Sequence, residues 1–233
     1  MSFAIYTHND CLLHDTGADC YENPKRLEAI HALLKTAPFS DIEIRTPDEV
    51  KPEWLHRAHR PYFTEALKAA LPKEGRILLN DDTPVVAATW RAAMLAAGAV
   101  CEAVQDVASG KSQRVFCAIR PPGHHAGAAR SEGYCIFNNV VIGALHAQAI
   151  SDMKRIAIID FDVHQGNGSD ALAREHQGLF YVSSHQWPIY PTMGLPAENK
   201  ENVVLNMTFT AGDGSEKFRK MYSEQVFPAL DAF

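Results

Sequence analysis

A chain of 233 residues, 46% apolar and 21% charged, is long enough to bury one large core or two small ones, and its composition excludes a disordered or fibrous protein. A net charge of −6 with no Lys/Arg run leaves no electrostatic footprint for nucleic acid or an anionic membrane. No apolar stretch reaches bilayer-spanning length, and the start, MSFAIYTHND, lacks the basic and apolar regions of a secretory leader, so the expected address is the cytoplasm.

In chain order, Phe3–Tyr6 reads as a strand and Pro24–Leu34 as a helix with Pro at its start. Ile42–Arg45 is a short strand and Pro61–Ala70 a helix. The Ala-rich segment from Pro84 to Ala108 reads as one long helix, ended by Gly110. Val115–Ile119 is a buried strand, Asn138–Ile150 a helix and Ile156–Phe161 the next strand. A short helix over Ser169–Arg174 precedes strands at Leu179–Ser183 and Val203–Met207. Ser215–Ala229 is helical in pattern, with Pro228 placed to kink or stop it.

Strands apolar on both faces, alternating with helices, predict an α/β fold of three α/β/α layers around a mostly parallel sheet. In such folds, sites form beyond the carboxyl ends of the strands. The five cysteines, Cys11, Cys20, Cys101, Cys117 and Cys135, are odd in number and form no C-x-x-C pair. They read as reduced thiols rather than a disulfide frame or zinc ribbon.

Two strand ends carry chemistry. In RIAIIDFDVHQGNG, residues 155–168, Asp160, Asp162 and His164 fall at alternate positions, which is one face if the strand stays extended. Carboxylates in such a place are costly unless paired or bound to a cation, and mixed Asp and His donors suit zinc. Taken alone, the pattern also fits an ordinary polar strand end. In AIRPPGHHAG, a rigid Pro121-Pro122-Gly123 turn delivers His124 and His125 side by side. Adjacent imidazoles titrate as a coupled pair, so one can act as a base while the other acts as an acid. Of the 11 histidines, His31, His56 and His176 read as solvent-facing.

RPPGHHA, GYCIFNN and DFDVHQGNG, in this order, resemble the zinc-dependent histone deacetylase superfamily, which shares the arginase/deacetylase fold. The likeness extends from ENPKRL near residue 22 through LLNDDTP to YVSSHQ and YPTMG near residue 194. Asn167, where other members carry Asp, resembles the class II and bacterial deacetylase-like branch, including acetylpolyamine amidohydrolases and acetoin-utilisation proteins.

The resemblance implies a set of roles. Asp162 and His164 match zinc ligands, and His124 and His125 match the catalytic histidines. Asp160 and Asn167 match their orienting partners. Asp160, Asp162, His164, Ser183 and Ser184 match a structural potassium site. Gly133, Tyr134 and Tyr190 match the substrate tube, Asp82 a rim carboxylate, and Arg26 an arginine behind the active site. On the residues alone, core packing is the better reading of either tyrosine, and NDDTP reads as a solvated turn. The implied reaction is hydrolysis of an acetylated or short-acylated lysine or small amine.

The family's third zinc ligand, an Asp in a segment resembling SAGFDAH, and its later oxyanion Tyr have no match here. The expectation is therefore a single deacetylase-like domain over residues 1–233, corresponding to the N-terminal two-thirds of the family domain and incomplete at its C-terminal side. Missing strands would expose a sheet edge and favour association, a possible homo-oligomer among the outcomes. A non-catalytic relative that binds acylated ligands or a partner is the alternative. A manganese ureohydrolase of the same fold would need further Asp ligands, but Gln165 and Gly166 follow His164.

Overall fold

The computed structural model describes residues 2–233. Strand β1 (Phe3–Thr7) is followed by helix α1 (Lys25–Leu33), β2 (Glu43–Arg45), α2 (Pro52–Leu55) and α3 (Pro61–Ala70). A hairpin of β3 (Arg76–Leu78) and β4 (Pro84–Val86) leads into α4 (Thr89–Ala108) and β5 (Arg114–Ala118). Then come α5 (Asn139–Ile150), β6 (Ile156–Asp160), α6 (Asn167–Glu175), β7 (Leu179–Gln186) and β8 (Val204–Phe209). The chain closes with α7 (Ser215–Met221), one π-helical turn over Tyr222–Val226, and α8 (Phe227–Ala232) with Pro228 in its first turn.

Every strand outside the hairpin pairs in parallel, as the α/β reading expects. The pairing makes two three-stranded sheets, ordered β2-β1-β5 and β6-β7-β8. Helices cover both faces of the second sheet, which follows from strand alternation in β7. Leu179 and Tyr181 join the core built by α4 and α5, while Phe180 and Val182 pack beneath the C-terminal helices.

The edge strands β5 and β6 border one groove of about 770 Å³. Both read as fully covered strands in the sequence. In the fold Phe116 is 46% and Ile159 39% exposed, because neither strand has a hydrogen-bonded neighbour on its groove side among the described residues.

Other departures have local causes. The segment from Pro84 is not helical at first. Pro84, Val85 and Val86 pair with β3, and Thr89 Oγ1 accepts from Val86 N at 2.9 Å where the helix begins. Asn138 caps α5 by accepting from Val141 N. His31 is partly buried against Thr7, at 2.8 Å, and His176 is also partly covered, so neither faces solvent fully. All five cysteines are free. No helix of the described residues is long and apolar enough to cross a membrane.

Candidate active site

β5 ends at Ala118, and the Pro121-Pro122-Gly123 turn sets His124 and His125 at the head of the sheet with ring centroids 4.0 Å apart. β6 ends at Asp160, so strand periodicity does not carry the motif further. Instead the chain turns. Asp160 Oδ1 accepts from Asp162 N at 3.1 Å, and Asp162 Oδ1 accepts from His164 N at 2.8 Å. These side-chain-to-backbone bonds are the usual way Asp stabilises a turn, and they replace the extended face that spacing predicts.

Each histidine has its own partner. His124 Nδ1 donates to Asp160 Oδ2 at 2.9 Å, and the same oxygen accepts from Tyr181 OH at 2.7 Å. His125 Nδ1 donates to Asn167 Oδ1 at 2.8 Å. Asn167 opens α6, whose Ser169 N donates to the His124 carbonyl, so helix and turn are locked together. Gly166 makes this approach possible. A Cβ there would lie 2.5 Å from Tyr181 Oη and 2.6 Å from Asp160 Oδ2.

The two environments push the imidazoles apart. Burial alone would lower His124, but the Asp160 hydrogen bond and charge, helped by Asp162, outweigh it and raise its pKa. Burial, reinforced by the neighbouring His124, pushes His125 down to about 4. For Asp160, burial acts upward, and the bonds from His124 and Tyr181 reverse it, holding the carboxyl below its usual range.

The pocket wall is built on a tight turn. Glu132 and Cys135 exchange backbone hydrogen bonds at 3.1 and 2.9 Å around Gly133 and Tyr134, whose φ values are +57° and +64°. Positive φ at both central positions is the two-residue hairpin geometry. Gly133 is needed twice over, because a Cβ would meet His125 Cδ2 at 2.3 Å. Tyr134, not a glycine, holds a conformation that costs on the order of 1–3 kcal/mol, a kind of strain that concentrates at ligand sites. Asp82 Oδ1 accepts from Gly133 N at 3.0 Å and so holds the turn from the β3–β4 hairpin.

A cavity of about 570 Å³ gathers most of the sequence-stated residues: Arg26, Asp82, His124, His125, Gly133, Tyr134, Asp162, His164 and Tyr190. Asp160 and Asn167 stand behind the imidazoles. The Tyr190 ring packs edge-on to His125 at 5.1 Å, and burial with the Glu132 carboxylate raises its hydroxyl pKa. Arg26 sits on the exposed rim, not behind the site. The arginine behind the site is Arg120, 3% exposed, which binds Glu22 through Nε at 2.5 Å and Nη2 at 2.8 Å. It also donates to the carbonyls of Cys11 and His14. Ser184 Oγ lies 3.4 Å from the Asp160 carbonyl and 3.0 Å from Tyr222 OH, while Ser183 Oγ turns to His185 Nδ1 at 2.9 Å.

Asp162 and His164 are an O and an N donor suited to zinc, half exposed and 3.2 Å from each other. They fit as two ligands of such an ion. Among the described residues no group of three or more His, Cys, Asp and Glu side chains is placed to hold a metal.

Sequence reasoning missed Arg120, Tyr181 and Glu132. Arg120 lies just past a strand, directly before PPG. Tyr181 is a polar-tipped aromatic inside an apolar strand, a type that needs a partner once buried. Either signal was available. Glu132 had none, since a lone Glu in a glycine-containing loop looks solvated.

Residues 20–233 match the histone deacetylase domain family. An uncharacterised protein of Synechocystis is 34% identical over 232 residues, which is 97% of this chain and 76% of that protein. A histone deacetylase-like amidohydrolase of Pseudomonas aeruginosa is 28% identical over 91% of this chain, which spans 57% of its length. The crystal structure of the HDA15 HD domain superposes with a TM-score of 0.91 at 29% identity, covering all of this chain and 70% of that one. Fold, motif order and family match agree, and the chain belongs to the histone deacetylase domain family.

Proposed function

We propose that this chain carries the proton-transfer half of a zinc-dependent deacetylase site, hydrolysing acetyl or short acyl amides of lysine side chains or small amines. One observation carries the reading: two adjacent histidines in one pocket, one bonded to a carboxylate and the other to a neutral amide. That asymmetry separates an acid from a base.

Asp162 and His164 would hold the zinc ion, which supplies Lewis acidity toward the amide carbonyl and lowers the pKa of a water molecule. His125 donates through Nδ1 to Asn167, leaving Nε2 to take the proton of the attacking water. The water oxygen bonds to the acyl carbon. His124, held ready to be cationic by Asp160, gives a proton to the departing nitrogen as the C–N bond breaks. Acetate and a free amine result. Tyr134 and Tyr190 wall the acyl chain, and Asp82, Gly133 and Arg26 line its entrance. Beyond the Arg120–Glu22 pair, the pocket lining carries Asp82 and Asp162 against Arg26, which suits a cationic product amine.

A potassium ion held by Asp160, Asp162, His164, Ser183 and Ser184 belongs to the same reading, supported by the approach of Ser184 to the Asp160 carbonyl. Five free thiols support a cytoplasmic setting.

The test is zinc titration of the 233-residue chain together with hydrolysis of an acetyl-lysine peptide and of an acetylated diamine. One zinc per chain and measurable hydrolysis, both lost in Asp162→Ala, are expected. Hydrolysis that survives Asp162→Ala overturns the assignment. That no group of three or more metal-ligating side chains stands together among the described residues favours a second reading, a domain that binds acylated amines without cleaving them. Peptide binding with neither zinc nor turnover selects that one.

A further inference from the structure

The turn at Glu132 presents a carboxylate that the reaction above does not use. Its side chain is 23% exposed and its two oxygens do different things. Oε2 meets Arg130 Nε at 2.8 Å on the solvent side, an ion pair with a 61% exposed arginine that contributes little. Oε1 turns inward, accepting from Tyr190 OH at 2.9 Å and from Asn167 Nδ2 at 3.3 Å.

We propose that Glu132 is a positioning residue. It fixes the orientation of the Asn167 amide and thereby compels His125 to carry its proton on Nδ1, with Nε2 left as the free base.

The argument is a count of donors and acceptors. Among the described residues the Asn167 side chain makes two hydrogen bonds, one at each end of its amide. At one end stands His125 Nδ1, which can donate or accept according to tautomer. At the other stands a carboxylate, which only accepts. Only the NH2 of Asn167 can face Glu132, so its carbonyl must face His125, and Nδ1 must donate. Remove the carboxylate and both amide orientations satisfy His125. With the amide reversed, Nδ1 accepts and the proton moves to Nε2, the atom that should receive one. A network that defines a tautomer in this way acts through its second partner, not by touching the reacting atoms.

The functional weight of this rests on His125 as the proton acceptor, whereas the tautomer does not, and the two fail separately. The experiment is 15N spectroscopy of the histidine-labelled, metal-free chain at pH 8, with His125 assigned by its loss in His125→Ala. In the native chain the pyridine-type nitrogen of His125 is Nε2. In Glu132→Leu that signal shifts toward the mixed-tautomer position. In Glu132→Lys, which replaces the acceptor with a donor, it moves onto Nδ1. Tyr190→Phe removes the other bond to Oε1 and leaves the tautomer native. Where the chain turns over substrate, kcat of Glu132→Leu falls on the order of tenfold with KM little changed. An Nδ1–H tautomer that persists in folded Glu132→Leu, or in Glu132→Lys should the leucine variant not fold, overturns the proposal. A shifted tautomer with unchanged kcat keeps it and instead discards His125 as the base.

Discussion

Two halves of one pocket are built to different standards. In the half made by the 121–125 turn, the end of β6 and the start of α6, the polar side chains are locked in pairs. Asp160 holds both His124 and Tyr181, Asn167 holds His125, and Glu132 stands behind Asn167. In the other half, Asp162 and His164 are 49% and 42% exposed and bond chiefly to their own turn. The two histidines and their partners are fixed by hydrogen bonds and packing within the fold itself. Asp162 and His164 are held by local turn chemistry, and Asp162 also lines the groove between the sheets.

The contrast is broken most severely at Asp160. Its carboxylate is 12% exposed and accepts two side-chain hydrogen bonds through one oxygen. Asp160→Ala leaves His124 without its counter-charge and takes from the fully buried Tyr181 hydroxyl the carboxylate it donates to, leaving the Gly166 amide donating to it. Removing one partner of a buried charged pair costs about 3–5 kcal/mol. A loss of unfolding free energy of that size, read from urea melts, is expected. A loss below about 1 kcal/mol would show that the closed half is no more rigid than the open one.

The second way to sharpen the comparison is acidification. His125, pushed down to about 4 by burial and by His124, stays neutral in the fold while an unfolded histidine takes a proton near 6.5. The unfolded chain therefore binds more protons below pH 6.5, and stability present above that value is lost as pH falls toward 4. Between pH 7.5 and 5 this one group removes about 2 kcal/mol. His124 opposes it, because its raised pKa makes folding more favourable at low pH than at high. His125→Ala should flatten the native chain's stability loss over that window by about 2 kcal/mol, read from urea melts at each pH. Equal slopes in the two proteins would remove His125 from the account.

The sequence was most informative where one side chain had a chemical reason to be there. PPG followed by HH announced a rigid delivery of two imidazoles, and the apolar run after Asn138 announced a helix. It was least informative where a position depends on chain far away. Asp82 reads as a solvated turn, yet its carboxylate holds a backbone amide 51 residues later. Arg26 and Arg120 cannot be ranked from spacing, because only the fold shows which is walled in by the Cys11–Glu22 segment. The alternation of Asp160, Asp162 and His164 suggested an extended strand, but each Asp accepts the backbone N–H two residues on and turns the chain instead. The exposed faces of β5 and β6 were illegible for a related reason. Apolar residues on both faces predict cover, and a sequence does not say which segment provides it.

The smallest effect is expected in the open half, and its smallness is the point. Asp162 is half exposed, and its acceptor bonds are to its own turn, from His164 N and Nδ1. Exposed pairs of this kind contribute no more than about 1 kcal/mol. Asp162→Ala should therefore leave the urea midpoint nearly where it was while removing one of the two proposed zinc ligands. A midpoint unchanged with zinc added or withheld, against a native midpoint that rises with zinc, separates metal binding from folding by mass action. If Asp162→Ala instead unfolds the chain as Asp160→Ala does, the turn carries structural weight that its exposure does not reveal, and the division of the pocket into a closed and an open half fails.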